Sequence, residues 1–426
     1  MSAGPDPGWV AARRGAAARA LRRAVSATGL SRHRAGFGWT VVPAPGSILA
    51  SARVASWDPE PDYFHHWTRD AAIALAAIPE AMAAEPGAAG FWRQAVADHV
   101  RFSLAISDPD RRGPPVNPLK ATATEAFRPY LRPDAELAAL TGPAWLAEPR
   151  CAADGGPDLE RWGRPQYDGP ALRAAALMRL GAAMPEARGE EADRLIARDL
   201  DFTLSVAGQP CLGPWEEEPA RRSGFTLIAQ WDALELGARR LGRADLAGAA
   251  ETVADLIAEA ADPVTGGWRE SLEAAPGGLD SATVLALVQA GRSDGPFALT
   301  APRTRATMAA LETLFAGLYP LNQGRAAPAL GRWAGDVFCG GNPWFPVTLG
   351  FAEAHYRIAA ATGEAAEFDR AEALMAVVED LAPEGDDLPE QADRETGAPT
   401  SCLGLTWSAA AFLMAAAARD QALAAR

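Results

Sequence analysis

Five clusters of aromatic and charged residues each stand just ahead of a long alanine-rich helical segment, and the helices they introduce are alternate ones. The clusters are Tyr63-Phe-His-His-Trp-Thr-Arg-Asp70, Trp162-Gly-Arg-Pro-Gln-Tyr-Asp-Gly169, Trp215-Glu-Glu-Glu218, Arg332 through Trp344, and Leu388-Pro-Glu-Gln391 leading to Trp407. In a ring of up-and-down helix pairs every second helix begins at the same end, so such a pattern gathers residues remote in sequence around one cavity. The chain reads as a helical toroid with a polar, tryptophan-lined mouth.

Apolar residues at three- and four-residue spacing, bounded by Pro, Gly, Asp and Asn, predict twelve helices. They cover residues 7–27, 68–84, 91–107, 169–184, 190–206, 223–241, 244–261, 281–291, 303–319, 343–362, 365–381 and 405–425. Connections into the even-numbered members are long, the longest being 108–168, and those out of them are mostly short. Functional groups are then expected on the long loops. Non-helical segments are expected near residues 36–62, with a short hairpin around Trp39-Thr-Val-Val42, and near 109–165, where the proline-rich stretch 109–133 reads as a surface excursion. No tandem repeat or low-complexity linker divides the chain, so residues 1–426 are expected to be one domain.

A net charge of −14 argues against a nucleic-acid partner, whose phosphates call for a basic surface. No run approaches the ~18 uncharged apolar residues of a membrane span. Arg13, Arg14, Arg19, Arg22 and Arg23 interrupt the first segment, which lacks the apolar stretch of a secretory signal, so a cytoplasmic location is expected. The four cysteines are far apart and show no metal-ligand spacing, which predicts free thiols and no structural zinc. His65 and His66 are adjacent, and in an extended segment such neighbours point to opposite sides. With no second ligand cluster, no metal and no cofactor are expected.

Two acids on different loops suit acid–base chemistry. Glu216 is flanked by Trp215 and Glu217, an apolar ring and a like charge that both favour a protonated carboxyl. Glu390, between Pro389 and Gln391, precedes the last helix. Taken alone each also reads as an acid at a helix N-terminus. Asp386, Asp387, Asp393 and Glu395 read as a solvated acidic loop. Trp67, Trp162, Trp215, Trp344 and Trp407 stand at or beside even-helix starts, and Arg69, Asp70, Arg164 and Arg332 offer fixed polar partners, a combination that suits a sugar pocket. Asn342 with Pro343 reads as the N-cap and first residue of a helix.

These residues resemble glycoside hydrolase family 15, the glucoamylases and related α-glucan exo-hydrolases. Pro61-Asp-Tyr-Phe-His-His-Trp-Thr-Arg-Asp70 is similar to the family's PDYFYxWTRD, and Trp162-Gly-Arg-Pro-Gln-Tyr-Asp-Gly-Pro-Ala-Leu-Arg173 to its WGRPQxDGPALR. Trp215-Glu-Glu217 resembles the acid-bearing loop, and residues 331–345 resemble GRYPEDxYxxGNPWF. Leu388-Pro-Glu-Gln-Ala-Asp-Arg-Glu-Thr-Gly397 with Leu405-Thr-Trp-Ser408 is similar to LPEQxDxxTG…LTWS.

The resemblance implies an all-α (α/α)6 barrel, in agreement with the twelve helices. It also implies inversion at the anomeric carbon, with Glu216 as general acid and Glu390 as general base. By the same carry-over Arg69 and Asp70 hold the terminal sugar, Arg332 and Glu217 bind neighbouring hydroxyls, Tyr63 lies near the developing oxocarbenium, Trp162 and Trp344 face the sugar, and the backbone carbonyl of Trp215 contacts it; Trp67 and Arg164 join the expected binding set from their place in the clusters. The expected activity is release of glucose from non-reducing ends of α-glucans or oligosaccharides. The alternatives are another α-linkage, such as trehalose or dextran and isomaltose, or a noncatalytic glucan-binding regulator. The sequence departs from the pattern at Gly213-Pro214, Glu218-Pro219 and Phe338-Cys339, which bears on linkage and chain length. With neither an N-terminal β-sandwich nor a starch-binding module expected, short soluble oligosaccharides fit better than granular starch.

Overall fold

The computed structural model describes residues 4–53 and 61–426. Among the described residues there are fourteen α-helices: α1 Pro7–Ala24, α2 Thr68–Ala76, α3 Ile78–Ala84, α4 Ala89–Ile106, α5 Asp134–Ala138, α6 Asp168–Ala183, α7 Glu190–Ser205, α8 Gly224–Leu241, α9 Ala244–Glu259, α10 Ser281–Ala290, α11 Pro302–Leu318, α12 Phe345–Thr362, α13 Ala365–Leu381 and α14 Thr406–Ala424. Local chemistry sets their ends. Asp6 caps α1 by accepting from the Trp9 amide at 2.8 Å, with Pro7 at the first position and Arg22 and Arg23 in the last turn. Gly242, at φ 65°, closes α8 in the left-handed conformation that glycine adopts without strain.

Helices α2, α6, α8, α10, α12 and α14 each pack on the next, and α14 returns to α2, closing an inner ring. Around it stand α1, α4, α7, α9, α11 and α13, which makes the (α/α)6 barrel expected from the sequence. Burial follows position. Outer helix α9 buries one stripe, Leu246, Ala250, Val253 and Ile257, whereas inner α14 is buried on nearly every side. Small residues let the inner helices approach closely: a Cβ on Gly350 of α12 would lie 2.4 Å from Leu285 Cδ2 of α10.

One expected helix is broken. The segment 68–84 divides at Ala77, because Pro79 has no N–H to donate and instead occupies the opening turn of α3.

The connections behave asymmetrically, as the sequence suggested. Two-residue links join α8 to α9 and α12 to α13, while long loops enter the inner helices. Part of the non-helical region expected near residues 36–62 falls on 54–60, outside the described residues. The hairpin forms as β1 Arg32–Arg34 against β2 Trp39–Val41. The excursion between α4 and α6 folds over it, with its own small core of Phe37, Leu119, Leu131, Leu137, Leu140, Trp145 and Leu159. Within the excursion, β4 Arg150–Ala152 pairs antiparallel with β3 His65–Trp67 and sets Arg150 opposite Trp67.

The loop carrying Asp386 and Asp387 is not simply solvated. Arg19 and Arg23 of α1 pair with Asp386, and Arg23 and Arg53 with Asp387, so the basic face of α1 clamps the approach to the last inner helix. Among the described residues no helix is long and apolar enough to cross a membrane, and none of the four cysteines forms a disulfide.

Candidate active site

The loops entering the inner helices enclose a cavity of about 340 Å³ at the N-terminal end of the ring. Tyr63, Trp67, Arg69, Asp70, Trp162, Trp215, Glu216, Glu217, Arg332, Trp344 and Glu390 all line it, together with Trp407 and Phe338. Arg164 does not line the cavity. Its guanidinium lies behind Trp162, donating to Glu148 at 2.9 Å and to Asp158 at 2.5 Å.

Glu216 sits at φ 64°, a left-handed conformation that a side chain rarely adopts and that turns its carboxylate into the cavity. Oε1 accepts from Trp67 Nε1 at 2.8 Å, Gln166 Nε2 at 3.0 Å and Arg69 at 3.2 Å, and Oε2 accepts from Trp162 Nε1 at 2.5 Å. The flanking groups expected to act on Glu216 are engaged elsewhere: the Trp215 indole bonds to Asp280, and Glu217 pairs with Arg332 at 3.0 Å. Donors, not an apolar ring and a like charge, hold this carboxyl.

Those donors are themselves fixed. Arg69 also donates to Gln166 at 2.9 Å and to Asp168 at 2.7 Å. Trp67 and Trp162 meet edge-to-face at 5.7 Å, and the Arg150 guanidinium lies 3.7 Å from the Trp162 ring and 4.9 Å from that of Trp67. Asp158 holds Arg150 at 2.9 Å. Asp70 is buried beside Arg69; burial pushes its carboxyl up to about 6, against the pull of the guanidinium.

Glu390 is 2% exposed. Its Oε2 accepts from Ser401 Oγ and from Gln391 Nε2 at 3.1 Å, and Tyr63 also bonds to the carboxyl. Burial pushes Glu390 up to about 7, while these hydrogen bonds and Arg332 pull it down. The two acids thus reach one cavity from opposite loops, one held by N–H donors and the other by hydroxyls and an amide.

Trp215 is the hub between them. Its ring stacks on Trp407 at 6.3 Å and lies 5.2 Å from Trp344, and Nε1 donates to both oxygens of Asp280 at 2.9 and 2.8 Å. Asp280 also caps α10 through the Ala282 amide at 2.7 Å, and burial pushes its carboxyl up to about 7. It stands at the start of the one inner helix with no aromatic cluster ahead of it and was not expected as a site residue, and neither were Arg150, Gln166 and Asp168. The only sequence signal for Asp280 was its position as a helix cap.

Two further expectations are corrected or refined. Helix α12 begins at Phe345, with Trp344 as its N-cap and Pro346 in its opening turn, rather than at Asn342-Pro343. Asn342 instead ties two loops together, donating to Cys339 O at 2.7 Å and Gln391 Oε1 at 3.1 Å and accepting from the Arg394 amide at 3.1 Å. His65 lies among Arg34, Asp62 and Glu160, whereas His66 bonds to Ile48 and packs on Phe102, so the pair does face opposite sides. Among the described residues no group of three or more His, Cys, Asp or Glu is arranged to hold a metal ion.

The chain matches the family model for glycosyl hydrolases family 15 over residues 146–417. Glucoamylase 1 of Rhizopus oryzae is 26% identical over 446 residues, covering 90% of this chain and 68% of its own. The probable glucoamylase of Schizosaccharomyces pombe is 28% identical over 334 residues, covering 74% of this chain and 64% of its own. In structure the chain is similar to Hormoconis resinae glucoamylase, with a TM-score of 0.75 and 25% identity over 97% of this chain and 73% of that one. The glucoamylase of Saccharomycopsis fibuligera, at 20% identity, shares the fold with a TM-score of 0.75 over 100% of this chain and 98% of that one. The family match spans more than half of the sequence and rests on the same barrel, so this chain belongs to glycosyl hydrolases family 15 and is a glucoamylase-like glycoside hydrolase.

Proposed function

We propose that the protein is an exo-acting, inverting hydrolase that releases glucose from the non-reducing ends of α-linked glucans or oligosaccharides. The observation that carries this reading is the pair of differently held carboxylates, Glu216 and Glu390, on one indole-lined cavity. Inversion requires an acid that protonates the leaving oxygen and a base that activates water on the opposite face of the sugar. Glu216 takes the first role. Three donors crowd its Oε1 and only Trp162 meets Oε2, so Oε2 has room for the proton and for the glycosidic oxygen. Glu390 takes the second role, with Tyr63 and Ser401 orienting its carboxylate toward the attacking water.

Arg69 and Asp70 hold the terminal sugar, Arg332 and Glu217 the neighbouring hydroxyls, and Trp67, Trp162, Trp215 and Trp344 supply rings for its C–H faces. Arg164 keeps a positioning role behind Trp162. Residues 1–426 form one catalytic unit in this reading, and no cofactor enters any step. A cytoplasmic location completes the proposal. It is supported by a relative named as an intracellular, sporulation-specific glucoamylase of Saccharomyces cerevisiae.

One observation bears on which linkage is cleaved: Phe338, which stands where the family pattern has a tyrosine, lines the cavity and offers no hydroxyl. NMR of the anomeric product from maltose, isomaltose, trehalose and maltoheptaose tests the reaction and its linkage together. β-Glucose, lost in Glu216→Gln and Glu390→Gln, is expected, and the substrate that yields it identifies the linkage. α-Glucose as first product would overturn inversion, and sugar binding without turnover on any of the four would overturn the proposed activity.

A further inference from the structure

The two indoles that hold Glu216 share one cation. The register of β3 and β4 sets Arg150 opposite Trp67, and its guanidinium lies 4.9 Å from the Trp67 ring and 3.7 Å from that of Trp162. Those rings turn their N–H groups to different oxygens of Glu216, Trp67 to Oε1 at 2.8 Å and Trp162 to Oε2 at 2.5 Å. Arg150 itself neither lines the cavity nor donates to Glu216. Its hydrogen bonds run to Asp158 at 2.9 and 3.4 Å and to Glu160 at 3.4 Å. We infer that Arg150 is a positioning residue for the general acid: through the faces of Trp67 and Trp162 it fixes both indole N–H groups on Glu216 and strengthens them as donors. The inference rests on the role assigned to Glu216 above.

A cation on the face of an indole is attracted to its π electrons and draws density from the ring, so the N–H becomes a better donor. The attraction is largest where water is excluded, and Arg150 is 2% exposed. The cation is also held still. Asp158 accepts from Arg150, from Arg164 at 2.5 Å and from the Glu160 amide at 3.1 Å. His65, whose ring lies 5.7 Å from Trp67, is no competitor for the rings. Burial, then Arg150 and Arg34, hold its imidazole well below the ordinary range against the pull of Asp158 and Asp62, so it stays neutral. An ion pair serving the fold alone would account for Asp158, but not for one guanidinium placed on both indole donors of one carboxyl.

The consequence belongs to the chemical step. As Glu216 passes its proton to the leaving oxygen it becomes a carboxylate, and donors strengthened by Arg150 stabilise the charge that then develops. The contribution therefore appears in kcat more than in KM, and it scales with how much the leaving group needs a proton. A sugar alkoxide needs one, whereas fluoride, the anion of a stronger acid, departs with little proton transfer.

Steady-state kinetics of the wild type, Arg150→Met and Arg150→Lys on maltose, or the preferred disaccharide, and on α-glucosyl fluoride test this, with thermal midpoints confirming the fold. Arg150→Met should lower kcat on the disaccharide about tenfold with KM within about twofold, and leave kcat on the fluoride within about twofold. Arg150→Lys keeps the charge without the planar stack, and should recover kcat on the disaccharide to within about threefold of the wild type. Should Arg150→Met not fold, a loss in Arg150→Lys confined to the disaccharide carries the inference. Equal losses on both substrates, or no loss in the folded variants, would overturn it. Failure of the wild type to release glucose from any substrate would overturn the function proposed above and this inference with it.

Discussion

The hydroxyl of Ser401 offers the sharpest probe of Glu390. Ser401 Oγ donates to Glu390 Oε2, and Ser401 itself has φ 58°. Alanine would retain the strain of that left-handed backbone, whereas glycine adopts it freely, so Ser401→Gly removes the donor with the least disturbance of the loop. A hydrogen bond to a charged group contributes about 1.5–3 kcal/mol, and one pKa unit corresponds to about 1.4 kcal/mol. Burial already holds Glu390 at about 7. Losing the donor favours the neutral acid, so the carboxyl should rise by roughly one unit even if water replaces part of the bond. A general base acts when ionised, so the acidic limb of kcat/KM in the free enzyme should lie near pH 7 in the wild type and about one unit higher in the variant. At pH 6 the ionised fraction, and with it kcat/KM, should fall roughly ninefold, while above pH 9 the two proteins should converge. Steady-state kinetics from pH 5 to 9.5 decides the matter. An acidic limb that stays put or moves downward would refute the view that Ser401 stabilises the ionised base.

Glu390→Gln should stabilise the fold as it abolishes turnover. A carboxyl raised from 4.5 to about 7 favours folding at low pH and loses that contribution as pH rises through the interval, so at pH 8 the wild type bears the burden of a buried charge. The glutamine variant should then be more stable by up to roughly 3 kcal/mol, with the gain vanishing near pH 4; equal thermal midpoints at pH 8 would contradict this. Trp67→Phe keeps a ring beside Trp162 but removes the 2.8 Å donor to Glu216, so kcat should fall about tenfold with KM within twofold, measured by steady-state kinetics on maltose or the preferred substrate. Arg13→Ala removes bonds of 2.8 Å to the carbonyls of Pro383 and Gly385, in the loop leading to Glu390, and should destabilise by about 2–3 kcal/mol in chemical denaturation, with kcat reduced less than tenfold.

What the sequence made legible was set by periodicity and by aromatic clusters adjacent to helix starts. Alternation of helices gave the barrel because each amphipathic or fully apolar segment has one way to bury itself in a closed double ring. The division at Ala77 was harder to see, since Pro79 sits in a segment whose apolar spacing continues without interruption. Most site residues that were legible shared a cluster with a tryptophan, yet Gln166 and Asp168 lie in the Trp162 cluster and escaped notice, because their bonds to Arg69 and Glu216 cross to other loops. Asp280 escaped notice because its cap to Ala282 is local and its indole partner, Trp215, is 65 positions away. Arg164 and Arg150 show the same limit. Both are arginines near Trp162, and only the β3–β4 register, which sets Arg150 against Trp67, decides which guanidinium lies on the rings.

The barrel's polarity explains why so many acids can share its mouth. Every inner helix starts there, and each start carries a partial positive charge and unpaired N–H groups. Asp70 in the first turn of α2, Asp168 at the head of α6 and Asp280 capping α10 all occupy such ends. Arg69, Arg150 and Arg332 add full charges among them. At the opposite end the pattern reverses: Arg179 donates to Ala290 O at 2.7 Å and Arg357 to Val288 O at 3.0 Å, meeting last-turn carbonyls that have no partner within α10. Carboxylates at that foot face the negative ends of the helices, and Asp232 and Glu353 there are paired with these same arginines, Arg179 and Arg357. The mouth, by contrast, offers enough positive potential to hold Glu216 among donors, while Glu390, Asp70 and Asp280 sit deep enough for burial to raise them toward neutrality. Acid–base chemistry near neutral pH needs that balance, and the direction of the inner helices places it at one end of the ring.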